Sequence, residues 1–136
     1  MELSLRFDNS VWYGYDDVGM DRPVSIKVLA RPESVAAARR AFATLDGMPE
    51  HREADFAIVM SELVTNAIRH AGLGPDDEIE IIADFRGERV RVTVRDNGPG
   101  FVRVARSEDG GWGLEIVDQL SDAWGLEKGA VWFEMA

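Results

Sequence analysis

Val24, Ile26 and Val28 alternate with Ser25 and Lys27, which predicts a strand over Val24–Ala30. Pro32 ends it. Ser34 is placed to cap a helix that runs to about Leu45, with Glu33 near its start and Asp46-Gly47 and Pro49 after it. A second helix is predicted from about Glu53 to Ala71, because Phe56, Val59, Met60, Leu63, Val64 and Ala67 recur at spacings of three and four. Gly72 and Gly74-Pro75 stop that helix. Two strands follow. Ile79, Ile81, Ala83 and Phe85 share one face of the first, and Val90, Val92 and Val94 share one face of the second. Arg86-Gly87-Glu88 joins them as a hairpin. Their other faces set Glu78, Glu80 and Asp84 against Arg89, Arg91 and Arg95, so charge pairing between the two strands is expected. A glycine-rich stretch from Asp96 to Gly113 leads into a third helix of about ten residues, with Leu114, Val117 and Leu120 facing inward. Trp124–Glu127, Lys128-Gly129 and Val131–Met135 form a last hairpin.

The order strand, helix, helix, hairpin, loop, helix, hairpin predicts an α+β fold. It would be a two-layer sandwich with a mixed, mostly antiparallel sheet and helices packed on one face. Residues 24–136 read as one domain. Residues 1–23, with Trp12, Tyr13 and Tyr15 and a candidate strand at Leu3–Phe7, read as an N-terminal extension of unknown role. The length of 136 residues suits a single domain, and 46% apolar with 29% charged residues is a globular composition.

Charge narrows the function classes. Fifteen basic against 25 acidic residues leave a net charge of −10, which argues against binding nucleic acid or anionic membrane through surface charge. The absence of cysteine excludes disulfides, thiolate metal sites and cysteine nucleophiles. No apolar run is long enough to span a bilayer, and the start Met-Glu-Leu-Ser-Leu-Arg lacks a signal core. A soluble, cytoplasmic domain is expected.

Three short patterns carry candidate chemistry. Glu62 and Asn66 stand four apart on the polar face of the second helix, with Arg69 and His70 a turn further on. A carboxamide oxygen suits a hydrated Mg²⁺, and a carboxylate can take a proton from an attacking hydroxyl. Asp96-Asn97-Gly98-Pro99-Gly100-Phe101 puts a carboxylate at a strand end, where it can accept from an exocyclic amine, with glycines that let a flat base approach. Gly110-Gly111-Trp112-Gly113-Leu114 opens a helix, and free N–H groups there bind phosphate. Taken singly, each pattern is also an ordinary helix face, turn or helix start.

Their order is specific. Ser61-Glu62-Leu63-Val64-Thr65-Asn66-Ala67-Ile68-Arg69-His70-Ala71, then Asp96–Phe101, then Gly111-Trp112-Gly113-Leu114-Glu115-Ile116-Val117 resemble the histidine-kinase-like ATPases, which share the Bergerat nucleotide-binding fold. The likeness covers about residues 24–135. Within that superfamily the sequence looks most like the small anti-sigma-factor serine/threonine kinases. A Pro-Glu-Ser-Val helix start and the Gly-Leu-x-Ile-Val-Asp-x-Leu-Ser-Asp-x-Trp-Gly stretch ending at Gly125 carry that narrower likeness.

The resemblance implies ATP or ADP with Mg²⁺ as cofactors. It implies Glu62 as catalytic base, Asn66 as magnesium ligand, and Asp96 on the adenine amino group. Gly98 and Gly100 would shape the pocket, and Gly111 and Gly113 would lie against the phosphates. Arg69 falls where a phosphate ligand is expected; Arg103 and Arg106 lie in the stretch that would form the lid. Arg39 and Arg40 are both candidates for a partner-facing arginine. The implied partners are an anti-sigma-factor antagonist, phosphorylated on serine or threonine, and a sigma factor that the chain sequesters. The alternative is a nucleotide-dependent binding switch with little or no catalysis. A homodimer paired through Val24–Ala30 as an exposed edge is a candidate assembly.

Overall fold

The computed structural model describes residues 2–7, 11–16, 23–45, 50–70, 72–96, 114–127 and 129–136. Seven strands form one sheet: β1 (Glu2–Phe7), β2 (Val11–Asp16), β3 (Val24–Leu29), β4 (Glu78–Arg86), β5 (Arg89–Asp96), β6 (Ala123–Glu127) and β7 (Ala130–Met135). Their order is β1-β2-β3-β4-β5-β7-β6, and every pairing is antiparallel. Helices α1 (Ser34–Ala43), α2 (Glu53–His70) and α3 (Leu114–Leu120) accompany it, and a 3-10 turn at Glu50–Arg52 precedes α2. The architecture is the expected α+β sandwich. Among the described residues, no helix is long and apolar enough to cross a membrane.

Period-two alternation builds the floor of the core. Ile26, Val28, Ile79, Ile81, Ala83, Val90, Val92, Val94, Phe133 and Met135 are all buried. The helices close over them with Ala37, Ala38, Ala41 and Phe42 from α1, Val59, Met60, Leu63 and Val64 from α2, and Val117 from α3. Phe56 bridges the layers, with its ring centroid 5.6 Å from Phe42 and 5.4 Å from Phe133. The hairpin between β4 and β5 turns at Gly87, whose φ of 62° is one that side chains rarely adopt.

Three expectations need correction. First, Val24–Leu29 is not an edge. β2 pairs with it on one side and β4 on the other, so the edges of the sheet are β1 and β6. The N-terminal residues supply the missing neighbour, so pairing of two copies through β3 is not available. Second, Ser34 is not the cap of α1. It is the first helical residue, Glu33 stands at the cap position, and the Ser34 N–H donates to Arg31 O at 2.9 Å in the preceding turn. The Ser34 side chain is buried, and its Oγ has no hydrogen-bond partner among the described residues. Third, the charges on β4 and β5 face each other in register but bond elsewhere. Arg91 lies opposite Asp84, yet both Arg89 and Arg91 donate to Glu134 on β7, at 2.9 and 2.8 Å. Asp84 accepts from Arg86 at 3.1 Å, and Glu80 accepts from Ser25 Oγ at 2.7 Å. Glu134 sits between two arginines, so it outcompetes Asp84, which has one cross-strand arginine.

The same face carries a stack. The Arg91 guanidinium lies 4.1 Å from the centroid of the Trp132 ring. Gly125 pairs with Trp132 across β6 and β7, and a Cβ on Gly125 would stand 2.7 Å from the indole. The indole would have to shift, and with it the guanidinium stacked on it. Gly125→Ala is therefore expected to destabilise the protein by about 1–3 kcal/mol, read as a lower urea midpoint at unchanged m-value. An undisturbed midpoint would refute the overlap.

Two carboxylates make stability depend on pH. Hydrogen bonds from Arg89 and Arg91 hold Glu134 below its ordinary value of 4.5. The Ala136 N–H, 2.8 Å away, and then Arg52 hold Asp122 below its ordinary 3.8. A depressed carboxylate stabilises the fold above its unfolded pKa, and that contribution disappears as pH falls through the folded one. Stability should therefore hold down to pH 4.5 and then decline through 3.8 and below. Glu134→Gln should flatten the upper part of that decline in thermal melts.

Candidate functional site

Among the described residues, Asp96 and the end of α2 lie at one end of the sandwich. Asp96 closes β5 and pairs with Ile79 at the start of β4; its N–H donates to Gly129 O at 3.0 Å. α2 ends at His70 and leads through residues 72–77 into β4, so its C-terminal half approaches that same end. α3 runs the other way. Arg52, just before α2, donates to Leu120 O at the end of α3, which leaves the first residues of α3 toward Asp96. α2 and α3 thus pack against each other and run in opposite directions.

Polar side chains are buried on α2 and at the end of β5, where apolar ones would otherwise be expected. Among the described residues, the buried polar or charged side chains are Ser34, Asn66 and Asp96. Asn66 is 4% exposed and Asp96 5%. Burying an amide or a carboxylate opposes folding unless it is bonded. The Asn66 Nδ2 is buried and has no hydrogen-bond partner among the described residues. Such a group in an otherwise apolar interior points to something that would occupy the space beside it. Rotation of the amide exchanges its oxygen and nitrogen, so either a donor or an acceptor can be presented there.

Glu62 is half-buried and Arg69 exposed. With Asn66 they stand at i, i+4 and i+7, one stripe along α2. The stripe adjoins the flank that faces α3, because Arg52, Val59, Glu62 and Asn66 follow one another at helical spacing and Arg52 reaches Leu120. Arg39 and Arg40 are not part of this group. Arg39 lies between α1 and the first half of α2, at the mouth of a cavity of about 100 Å³ lined by Phe42, Leu45, Glu53, Phe56 and Met60. Gly98, Gly100, Arg103, Arg106, Gly111 and Gly113 lie outside the described residues.

Arg52 carries no signal in the sequence. It bonds Asp122 at 3.3 Å, Ala136 O at 3.4 Å and Leu120 O, and forms an ion pair with Asp55 at 3.3 Å. It thereby fixes the end of α3 against the start of α2. Arg31 does similar work, donating to Pro75 O at 3.0 Å and to Asp76 at 2.8 Å across the α2–β4 connection.

An α+β sandwich with helices on one face of an antiparallel sheet is consistent with an ATPase domain. Residues 28–132 match the model of the histidine kinase-like ATPase domain, and the chain belongs to that family. Several serine-protein kinases are among its relatives. The serine-protein kinase RsbW of Oceanobacillus iheyensis is 30% identical over 118 residues, covering 73% of this chain and 75% of that protein. The serine-protein kinase RsbW of Listeria monocytogenes serotype 4a is 28% identical over 122 residues, covering 76% and 78%. Its namesake from Listeria innocua serovar 6a is 27% identical over the same length.

Proposed function

We propose that this chain is a cytoplasmic anti-sigma factor with serine/threonine kinase activity. It binds ATP with Mg²⁺, phosphorylates an anti-sigma-factor antagonist and sequesters a sigma factor. Residues 24–136 form the ATP-binding unit, to which β1 and β2 add. The observation that carries the reading is the pair of buried polar side chains, Asn66 and Asp96, with Glu62 one turn before Asn66 on α2. Family membership and the serine-protein kinase relatives support it.

In this reading Asp96 accepts from the adenine amino group, and a buried carboxylate makes that bond charge-assisted. Gly98 and Gly100 leave room for the base; Gly111, Gly113 and Arg69 meet the phosphates. Among the described residues no three His, Cys, Asp or Glu side chains cluster as a metal cage. That suits Mg²⁺, which binds through few protein oxygens, waters and substrate phosphates. The buried Asn66 amide, with its unengaged Nδ2, fits a place beside such an ion through Oδ1. Bound there, Mg²⁺ would neutralise phosphate charge. Glu62 takes the proton of the acceptor hydroxyl as its oxygen forms a bond to the γ-phosphorus. The bond from that phosphorus to the β–γ bridging oxygen breaks, and ADP leaves with the electron pair.

Calorimetric titration of ATP and ADP, with and without Mg²⁺, tests the site. Asn66→Ala is expected to remove most of the magnesium-dependent gain in ATP affinity and to leave metal-free ADP binding within about threefold. Equal loss in both would remove Asn66 from the metal. Absence of nucleotide binding in the wild type would overturn the reading altogether.

A further inference from the structure

The cavity of about 100 Å³ between the end of α1 and the start of α2 joins two kinds of chemistry. Phe42, Phe56 and Met60 form its floor, and all three are buried. Ala43 and Ala57 also line it, and their small side chains leave the space that longer ones would fill. Arg39 and Glu53 line it too. Both are exposed, so they stand at its mouth. Neither makes a hydrogen bond or an ion pair among the described residues. An apolar cavity that carries an unengaged cation and an unengaged anion on its rim is complementary to a ligand with an apolar body and two opposite charges.

We propose that this cavity binds a free, zwitterionic amino acid with a branched aliphatic side chain, of which leucine is the type. The side chain enters toward Phe42, Phe56 and Met60. The α-carboxylate meets the Arg39 guanidinium, and the α-ammonium meets the Glu53 carboxylate. Size sets the side-chain class. An apolar cavity of about 150 Å³ takes up benzene. The smaller space here, about 100 Å³, suits a branched aliphatic chain and excludes an indole. Charge sets the rest. A leucine within a peptide has a neutral backbone on both sides and would leave Arg39 and Glu53 unengaged, so a protein segment is the poorer occupant. A simple carboxylic acid would engage Arg39 and bring a like charge to Glu53. Occupation ties the end of α1 to the start of α2, the helix that bears Glu62 and Asn66. Nothing in this site requires kinase activity.

Calorimetric titration of the full chain tests the site, with L-leucine, isocaproate, isoamylamine and N-acetyl-leucine amide as probes. Leucine is expected to bind with a Kd of roughly 0.1–1 mM. Isocaproate lacks the ammonium and isoamylamine lacks the carboxylate, and each should bind about threefold to tenfold more weakly. Arg39→Gln should weaken leucine and isocaproate by that factor and leave isoamylamine as it was. Glu53→Gln should weaken leucine and isoamylamine and spare isocaproate. Both rim residues are exposed, so these variants should fold like wild type. Ala57→Leu, which fills the space, should abolish leucine binding. No leucine binding at a concentration about tenfold above the expected Kd range would overturn the site. So would a leucine affinity that neither rim variant moves, or one that survives Ala57→Leu. N-acetyl-leucine amide binding as tightly as leucine would also overturn it, and would make the cavity a socket for a protein side chain.

Discussion

Asp96→Asn is expected to weaken ATP and ADP alike, by roughly tenfold to a hundredfold. In the proposed site this residue faces the base and not the phosphates, so the number of phosphates should not matter. Its backbone is fixed by pairing with Ile79 and by the bond to Gly129, so the side chain is presented from a rigid strand end. A hydrogen bond to a charged acceptor contributes about 1.5–3 kcal/mol when its competitor is water, which is the stated range of affinity. The substitution keeps shape and volume, and it removes a charge from a side chain only 5% exposed. Titrations of ATP, ADP and GTP decide the matter. The two adenine nucleotides should lose affinity together, and GTP should be affected little, since it lacks the amino group that Asp96 would bind. Equal loss for GTP would move Asp96 away from the base.

Glu62→Gln should lower phosphoryl transfer by about 10²- to 10⁴-fold, the span usually lost with a general base. Nucleotide affinity should stay within about twofold of wild type, because Glu62 is assigned to the acceptor hydroxyl and touches no part of ATP in the proposed site. The side chain is half-buried, and glutamine preserves its size and its place on α2. Helix propensity is nearly unchanged by the exchange, so any loss of activity cannot be laid to unfolding. The measurement is single-turnover phosphoserine formation on the antagonist, alongside calorimetry. A rate that falls together with ATP affinity would make Glu62 a nucleotide ligand. A rate that does not fall would remove it from the chemistry.

The helices, the central hairpin and the final hairpin were legible because their apolar positions follow a clean period of 3.6 or 2. Asn66 and Asp96 were legible as candidates from motif order, but the burial of Asn66 was not, because helical spacing put it on the polar face of α2. What escaped the sequence depends on pairings between distant residues. Arg52 meets Leu120 at a separation of 68 residues, and Arg89 meets Glu134 at 45. No local pattern distinguishes these arginines from solvated ones. The strand β2 was missed because Val11-Trp12-Tyr13-Gly14-Tyr15-Asp16 lacks apolar–polar alternation. Its existence is what turned β3 from an edge into an interior strand. Ser34 misled for a different reason. A serine before an alanine-rich run is the usual mark of a cap, but the turn Arg31–Ser34 had already begun the helix one residue earlier.

The strand order also sets a sequence of assembly. β1 with β2, β4 with β5 and β6 with β7 are neighbours in the chain and can zip as hairpins. The pairing of β3 with β4 must wait for the closure of a long excursion through α1 and α2, and that of β5 with β7 for one that includes α3. Asn66 belongs to the first excursion, and Asp96 stands at the root of the second. The proposed site therefore has no counterpart in a partly folded chain, and a nucleotide that bound it would act only on the finished molecule. At a hundred times its Kd such a ligand would deepen the native state by about 2.7 kcal/mol, and cellular ATP would then serve as part of what keeps the fold closed.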